Sequence, residues 1–143
     1  MIFKTPIDLG FHLKEQRKSQ DFLQEDVAAY CQISDRTVRN IEKGTPGTKS
    51  RFVFNLIEEL GVKLFISLKG GELRQRINSN QELGIFIRSI RKQQGIRQED
   101  LSSIIGCQHS IVGKLERGID SVSIGTVFAV MSELGLELTD GNK

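Results

Sequence analysis

Residues 24–44 read QEDVAAYCQISDRTVRNIEKG, and residues 98–118 read QEDLSSIIGCQHSIVGKLERG. The two stretches lie 74 positions apart and open on the same Gln-Glu-Asp. Each carries two short segments of helical apolar spacing separated by a break, which falls before Ser34 in the first and before His109 in the second. Val27, Ile33, Val38 and Ile41 share the inner side of such a helix pair, and Gly44 stands just past the end, where a positive φ is wanted. The register continues outward without a gap, from Leu9–Leu64 onto Leu83–Leu138, with 17 identities in 56 pairs. Self-similarity of this kind means two copies of one supersecondary unit.

Working outward, Leu9, Leu13 and Arg17 predict a helix running to about Ser19, ahead of one at Gln24–Tyr30. Ser34 is a good N-cap for a third helix ending at Lys43. Ser50 opens a fourth through Val53, Phe54, Ile57 and Leu60, with Gly61 as its stop. The second copy repeats these at about Gln81–Gln94, Gln98–Ile105, His109–Arg117 and Ser123–Leu134. After each fourth helix the period changes to two, predicting strands at Val62–Leu68 and at Leu136–Thr139. The expected organisation is therefore mainly α: a first domain over 1–69, a linker over 70–80 with a helical turn at Glu72–Arg76, and a second domain over 81–143.

Composition narrows the function. The chain has 143 residues, with 20 Lys and Arg against 18 Asp and Glu, a formal net charge of +2. With no polybasic tail, any nucleic-acid site must come from where charges sit on the fold. Cys31 and Cys107 occupy non-equivalent repeat positions outside any Cys-x-x-Cys, so they read as inert thiols of a reducing compartment. With only His12 and His109, a metal site is not expected. The sequence shows no phosphate-binding glycine loop and no nucleophile–base constellation, so an enzyme is not expected, nor a cofactor. Without a signal-peptide core or a stretch approaching about 18 apolar residues, a cytoplasmic protein with no membrane span is expected.

Gln24-x-x-Val27-Ala28-x(4)-Ile33-Ser34-x(3)-Val38-x-x-Ile41-Glu42-x-Gly44 resembles the helix-turn-helix of the Cro/lambda-repressor class, also called the xenobiotic-response-element class. Both copies share the resemblance, which implies two lambda-repressor-like domains in tandem, each followed by a short strand. It also implies a double-stranded DNA operator as partner, with the third helix of each copy entering a major groove. By this resemblance Ser34, Asp35, Arg36 and Thr37 read bases, with Asn40 one turn later. Gln108, His109, Ser110 and Lys114 form the matching set. Gln24 and Gln98 resemble the family glutamine that bonds a phosphate and braces the reading helix. Outward positions are Asp35, Arg36, Arg39, Asn40 and Lys43 in the first copy, and His109, Ser110, Gly113, Lys114 and Arg117 in the second. Arg36 suits guanine O6 and N7, and Lys43 suits a phosphate. Two different reading sets imply an asymmetric target.

Other residues read more simply as scaffold. Arg17/Glu42 and Arg91/Glu116 are each 25 apart and resemble a buried structural ion pair. Glu25-Asp26 and Glu99-Asp100 are first-turn acids favoured by the helix dipole. Gly113, midway along the second reading helix, costs about 1 kcal/mol in helix propensity and allows that copy an assembly role instead. The strand after the fourth helix resembles the HipB-like antitoxin subgroup, which implies an autorepressor that also holds a HipA-like kinase toxin. A phage-type or restriction-modification controller, or a protein-interaction module that leaves DNA alone, are the alternatives. The strands either pair within one chain as a pseudo-dimer or recruit a second chain. Because 62–68 outruns 136–139, its unmatched apolar edge predicts a homodimer through the Val62–Leu68 strand.

Overall fold

A computed structural model of the chain describes residues 1–71 and 74–141. Among the described residues the elements run β1 (Ile2–Phe3), α1 (Pro6–Ser19), α2 (Gln24–Cys31), α3 (Asp35–Lys43), α4 (Ser50–Glu59) and β2 (Leu64–Leu68). The same six follow again as β3 (Gln75–Ile77), α5 (Asn80–Gln93), α6 (Gln98–Ile105), α7 (His109–Glu116), α8 (Ile124–Glu133) and β4 (Leu136–Thr139). The molecule is mainly helical, and the repeat reaches further upstream than Leu9. Gln75 and Arg76 belong to β3, which replaces the helical turn expected at Glu72–Arg76; Glu72 and Leu73 lie outside the described residues. The physical reason is the neighbouring strand: Leu64, Phe65 and Ile66 pair with Ile77, Arg76 and Gln75, which occupies backbone groups that an open edge would leave bare.

Local chemistry sets the helix ends. Thr5 and Asp8 form a reciprocal capping box at α1, with Pro6 as the first helical residue, and the Ser79 side chain caps α5. Ser34 Oγ accepts from Thr37 N at 3.1 Å to start α3, and Gly44 at φ +76° stops it. Ser50 does not cap α4. Lys49 holds the N-cap position, and the buried Ser50 hydroxyl instead donates to Asp120 O in the other copy at 3.2 Å.

The four strands form one antiparallel sheet in the order β1-β4-β2-β3. At its centre Phe65 pairs with Thr139, and beneath it Lys49 bridges Ser123. Each of these pairs joins a residue to its own counterpart 74 positions on. Antiparallel pairing of equivalent residues arises only around a two-fold axis, so the two copies are related by a local two-fold. Hydrogen bonds repeat across it. Ser50 N donates to Val122 O at 2.9 Å and Ile124 N to Thr48 O at 2.8 Å. Arg51 N donates to Asp120 O at 3.0 Å and Gly125 N to Pro46 O at 2.9 Å.

This arrangement corrects the expected homodimer through Val62–Leu68. Strand β2 is flanked on one side by β4 and on the other by β3, so it has no open edge to offer a second chain. It also begins only at Leu64, because Val62 N is bonded to Ile57 O at 3.0 Å in closing α4. The expected alternation fails at the far end, where Ser67 is buried and Leu68 exposed. Leu56, Leu64 and Ile66 of the first copy join Val130, Leu136 and Leu138 of the second in one continuous core. Two units near the lower size limit for independent folding thus share their burial. No helix among the described residues is long and apolar enough to cross a membrane.

Candidate nucleic-acid interface

Helices α2 and α3, and likewise α6 and α7, form a pair joined by a tight turn. In the first turn Gln32 takes the left-handed conformation at φ +58°; in the second Gly106 does so at φ +74°. Val27, Ala28, Val38 and Ile41 are buried between the helices, as are Leu101, Ser102, Val112 and Leu115. Small residues are required where α1 and α5 cross the ends of α3 and α7. A Cβ on Gly10 would lie 2.2 Å from Ile41 O, and one on Gly84 2.3 Å from Leu115 O.

The same buried polar device holds α3 and α7. Arg17 Nε and Nη2 donate to Glu42 Oε2 and Oε1 at 2.6 and 3.1 Å, while Nη1 donates to Phe22 O at 2.7 Å. Arg91 makes the matching fork to Glu116 and donates to Ile96 O. That bond to Glu116 raises the Arg91 pKa above its ordinary value, against the opposing effect of burial. Both arginines are inaccessible to a duplex, so they are scaffold. Gln24 Nε2 and Gln98 Nε2 each donate to the buried glutamate at 2.9 Å, which ties the start of the second helix to the end of the third. One amide hydrogen and the carbonyl oxygen of each glutamine remain for a ligand.

The outer surface divides differently in the two copies. Asp35, Arg36, Arg39 and Lys43 are exposed along α3, with Thr37 and Asn40 half-buried. Ser34 and Thr37 are committed to each other, their hydroxyls 2.9 Å apart in the cap. In the second copy Gln108, His109, Ser110 and Arg117 are exposed and Lys114 is half-buried. Gly113, expected to face outward, is buried. Its missing side chain leaves room for Arg117 Nη1 and Gln98 Oε1, each 3.3 Å from where a Cβ would stand. Gln98, His109, Arg97 and Glu99 rim a concavity of about 380 Å³ at the base of α6 and α7. Arg97 is held there by Asp100 at 2.9 Å and Glu99 at 3.0 Å. The Cys31 thiol is pushed up to about 11 by burial and by Glu59 and Glu58, which keeps it protonated and unreactive.

Sequence reasoning gave the turn at Thr45–Gly47 but missed the contact it makes with its counterpart in the other copy. From Thr45/Ile119 to Phe52/Thr126 no equivalent pair is identical. These residues meet their opposite numbers across the two-fold, where complementarity replaces sameness. Pro46 packs on Gly125, and at the matching contact Asp120 faces Arg51 at 3.9 Å. A longer run without identity, Val27/Leu101 to Thr37/Ile111, lies in the helix pair itself, so loss of identity alone gave no signal for this contact.

A helix-turn-helix family model matches residues 13–66 and again 87–140, so the chain belongs to the helix-turn-helix family and carries two such domains in tandem. It is also similar to y4mF of Sinorhizobium fredii (strain NBRC 101917 / NGR234), named as an uncharacterized HTH-type transcriptional regulator. The two are 30% identical over 66 residues, which is 46% of this chain and 87% of the relative. The relative thus corresponds in extent to about one of the two copies. No solved structure matches the chain significantly.

Proposed function

We propose that this protein is a sequence-specific DNA-binding transcriptional repressor in which a single chain supplies both halves of a two-fold reader. The observation that supports this reading is the local two-fold, which relates α3 of the first copy to α7 of the second. Helix-turn-helix dimers match inverted half-sites about one helical turn apart, and the internal sheet here replaces the dimer contact. Arg36 suits guanine O6 and N7, Asn40 suits adenine N6 and N7, and Lys43 and Arg117 suit phosphates. The target is then an imperfect inverted repeat, because Asp35-Arg36 and His109-Ser110 differ.

Two measurements test this. Solution mass together with a titration should give a 16 kDa monomer that binds one duplex per chain. Arg36→Ala should cost about 1–3 kcal/mol on the selected site and relax choice at one base position. Unchanged affinity and unchanged preference would remove Arg36 from the interface. Absence of salt-dependent binding to any duplex would favour the protein-interaction module.

The finer reading, an antitoxin that represses its own operon and holds a HipA-like kinase toxin, is supported by the strand after the fourth helix. Copurification of a kinase from the native host separates it from a phage-type or restriction-modification controller.

A further inference from the structure

Resting on that DNA-binding reading, we propose that the two halves divide the work: α3 reads bases, whereas the α6–α7 half anchors the protein to phosphates. The ligand class is an inverted-repeat duplex with one sequence-defined half-site and one degenerate half-site.

Three observations converge. The N-terminal half of a reading helix is the part that reaches base edges. In α3 that part presents Arg36, exposed and with no acid partner among the described residues, with Asn40 a turn later. Both have paired polar atoms that match one base and reject others. At the corresponding positions α7 presents Ser110 and Lys114. A serine hydroxyl both donates and accepts, and an ammonium is a compact point charge, so neither discriminates as sharply.

The second observation is where the positive charge of α7 sits. Lys114 lies in its second half, and Arg117 is its C-cap residue. Neither touches a carboxylate among the described residues. Charges at that end lie along the backbone of the groove and interact with phosphates whatever the sequence.

Gly113 supplies the third. The position that carries exposed Arg39 in the first copy is bare in the second, and the Arg117 guanidinium lies back across it beside the Gln98 amide. The glycine therefore removes a groove-facing side chain and redirects the arginine one turn further on. An isolated glycine within a helix weakens it. Here it makes room for a charge directed at the backbone.

The test uses the full chain. Selection from a random duplex pool should yield sites with one strongly constrained half and one weakly constrained half. Arg36→Ala should lose about 5- to 150-fold of discrimination in the constrained half. The double variant Lys114→Ala/Arg117→Ala should weaken selected and random duplexes by the same factor and flatten the log–log salt slope by about two. Equal constraint in both halves would overturn the proposal, as would loss of preference at particular bases in the double variant. A footprint covering one half-site only would overturn it too, because the second copy would then be off the DNA. Failure to bind any duplex would instead overturn the DNA-binding reading.

Discussion

The two copies are most alike where they are buried and least alike where they face outward or face each other. Arg17, Gln24 and Glu42 recur as Arg91, Gln98 and Glu116 with the same bonds. Asp35, Arg36, Arg39 and Asn40 recur as His109, Ser110, Gly113 and Lys114, with nothing shared. The loops meeting at the two-fold differ at each position, yet they fit. Pro46 on Gly125 and Asp120 on Arg51 are the same contact made with different chemistry. In a homodimer one loop must complement itself. Fusing the halves lifts that requirement, and it also makes exchange with a second chain costly. A first copy docked on another first copy would bring Arg51 against Pro46 in place of Gly125.

The largest expected effect tests the sameness of the scaffold. Arg17→Ala strands Glu42 without its fork, and Arg91→Ala does the same to Glu116. Each should cost roughly 3–5 kcal/mol of stability, and the two losses should be similar. Denaturant melts of both variants check this. A normal melt with lost DNA binding in either variant would show that its arginine serves the ligand and not the fold.

Two alanine substitutions probe the places where the copies part. Gly125→Ala puts a Cβ 2.7 Å from Pro46 Cβ and 3.0 Å from Pro46 O, atoms that cannot yield without moving the loop. It should destabilise by about 1–3 kcal/mol. Gly113→Ala meets only the ends of two flexible side chains, at 3.3 Å. It should stabilise by up to about 1 kcal/mol through helix propensity. If both substitutions destabilise equally, Gly113 is needed for packing, and its proposed part in directing Arg117 falls away.

Much of this was legible in the sequence because it is local or periodic. The helix pairs and the Gly44 stop follow from short-range pattern, the repeat from comparing the chain with itself, and the Arg–Glu pairing from the family resemblance. The partner of each strand did not. Val62–Leu68 was read as an unmatched edge because β3, the strand that covers that edge, is too short to announce itself. Gln75–Ile77 is three residues and carries Arg76 in a stretch that reads as linker. Strand pairing depends on where the chain returns in space, and here the two-fold decides that. The residues assigned to DNA reading are exposed where their helices place them, apart from the half-buried Thr37, Asn40 and Lys114. Gly113 was misplaced because a glycine gives no side chain by which a periodicity can orient it.

A smaller effect is expected at the helix starts. The first copy has Pro6 at the opening position of α1, and the second has Asn80 there, buried at 9% exposure with no hydrogen-bond partner for Oδ1 among the described residues. Asn80→Pro copies the first unit into the second. Proline suits this position, Ser79 already has the extended backbone that precedes one, and an unpaired buried acceptor is removed. A gain of about 1–2 kcal/mol should appear in thermal melts. A loss would show that the Asn80 amide has a partner on which α5 depends.

The smallest effect separates the sheet's two ends. His12 stacks against Phe3 at 5.1 Å between centroids, with Nε2 3.6 Å from Asp140, whereas the second copy has Phe86 at the matching place. His12 is therefore largely covered. Burial lowers its pKa below the ordinary 6.5, the nearby N-terminal ammonium adds to this, and Asp140 opposes both. The unfolded chain then binds a proton at pH values where the folded chain does not, so stability should fall as pH drops from about 6.5 towards the depressed folded value. His12→Phe removes that proton uptake while keeping a ring beside Phe3. Between about pH 8 and 5.5, the variant should lose less melting temperature than the wild type. An identical loss in both proteins, or an NMR titration of His12 at or above 6.5, would mean that the imidazole is hydrated and that Asp140 outweighs its burial.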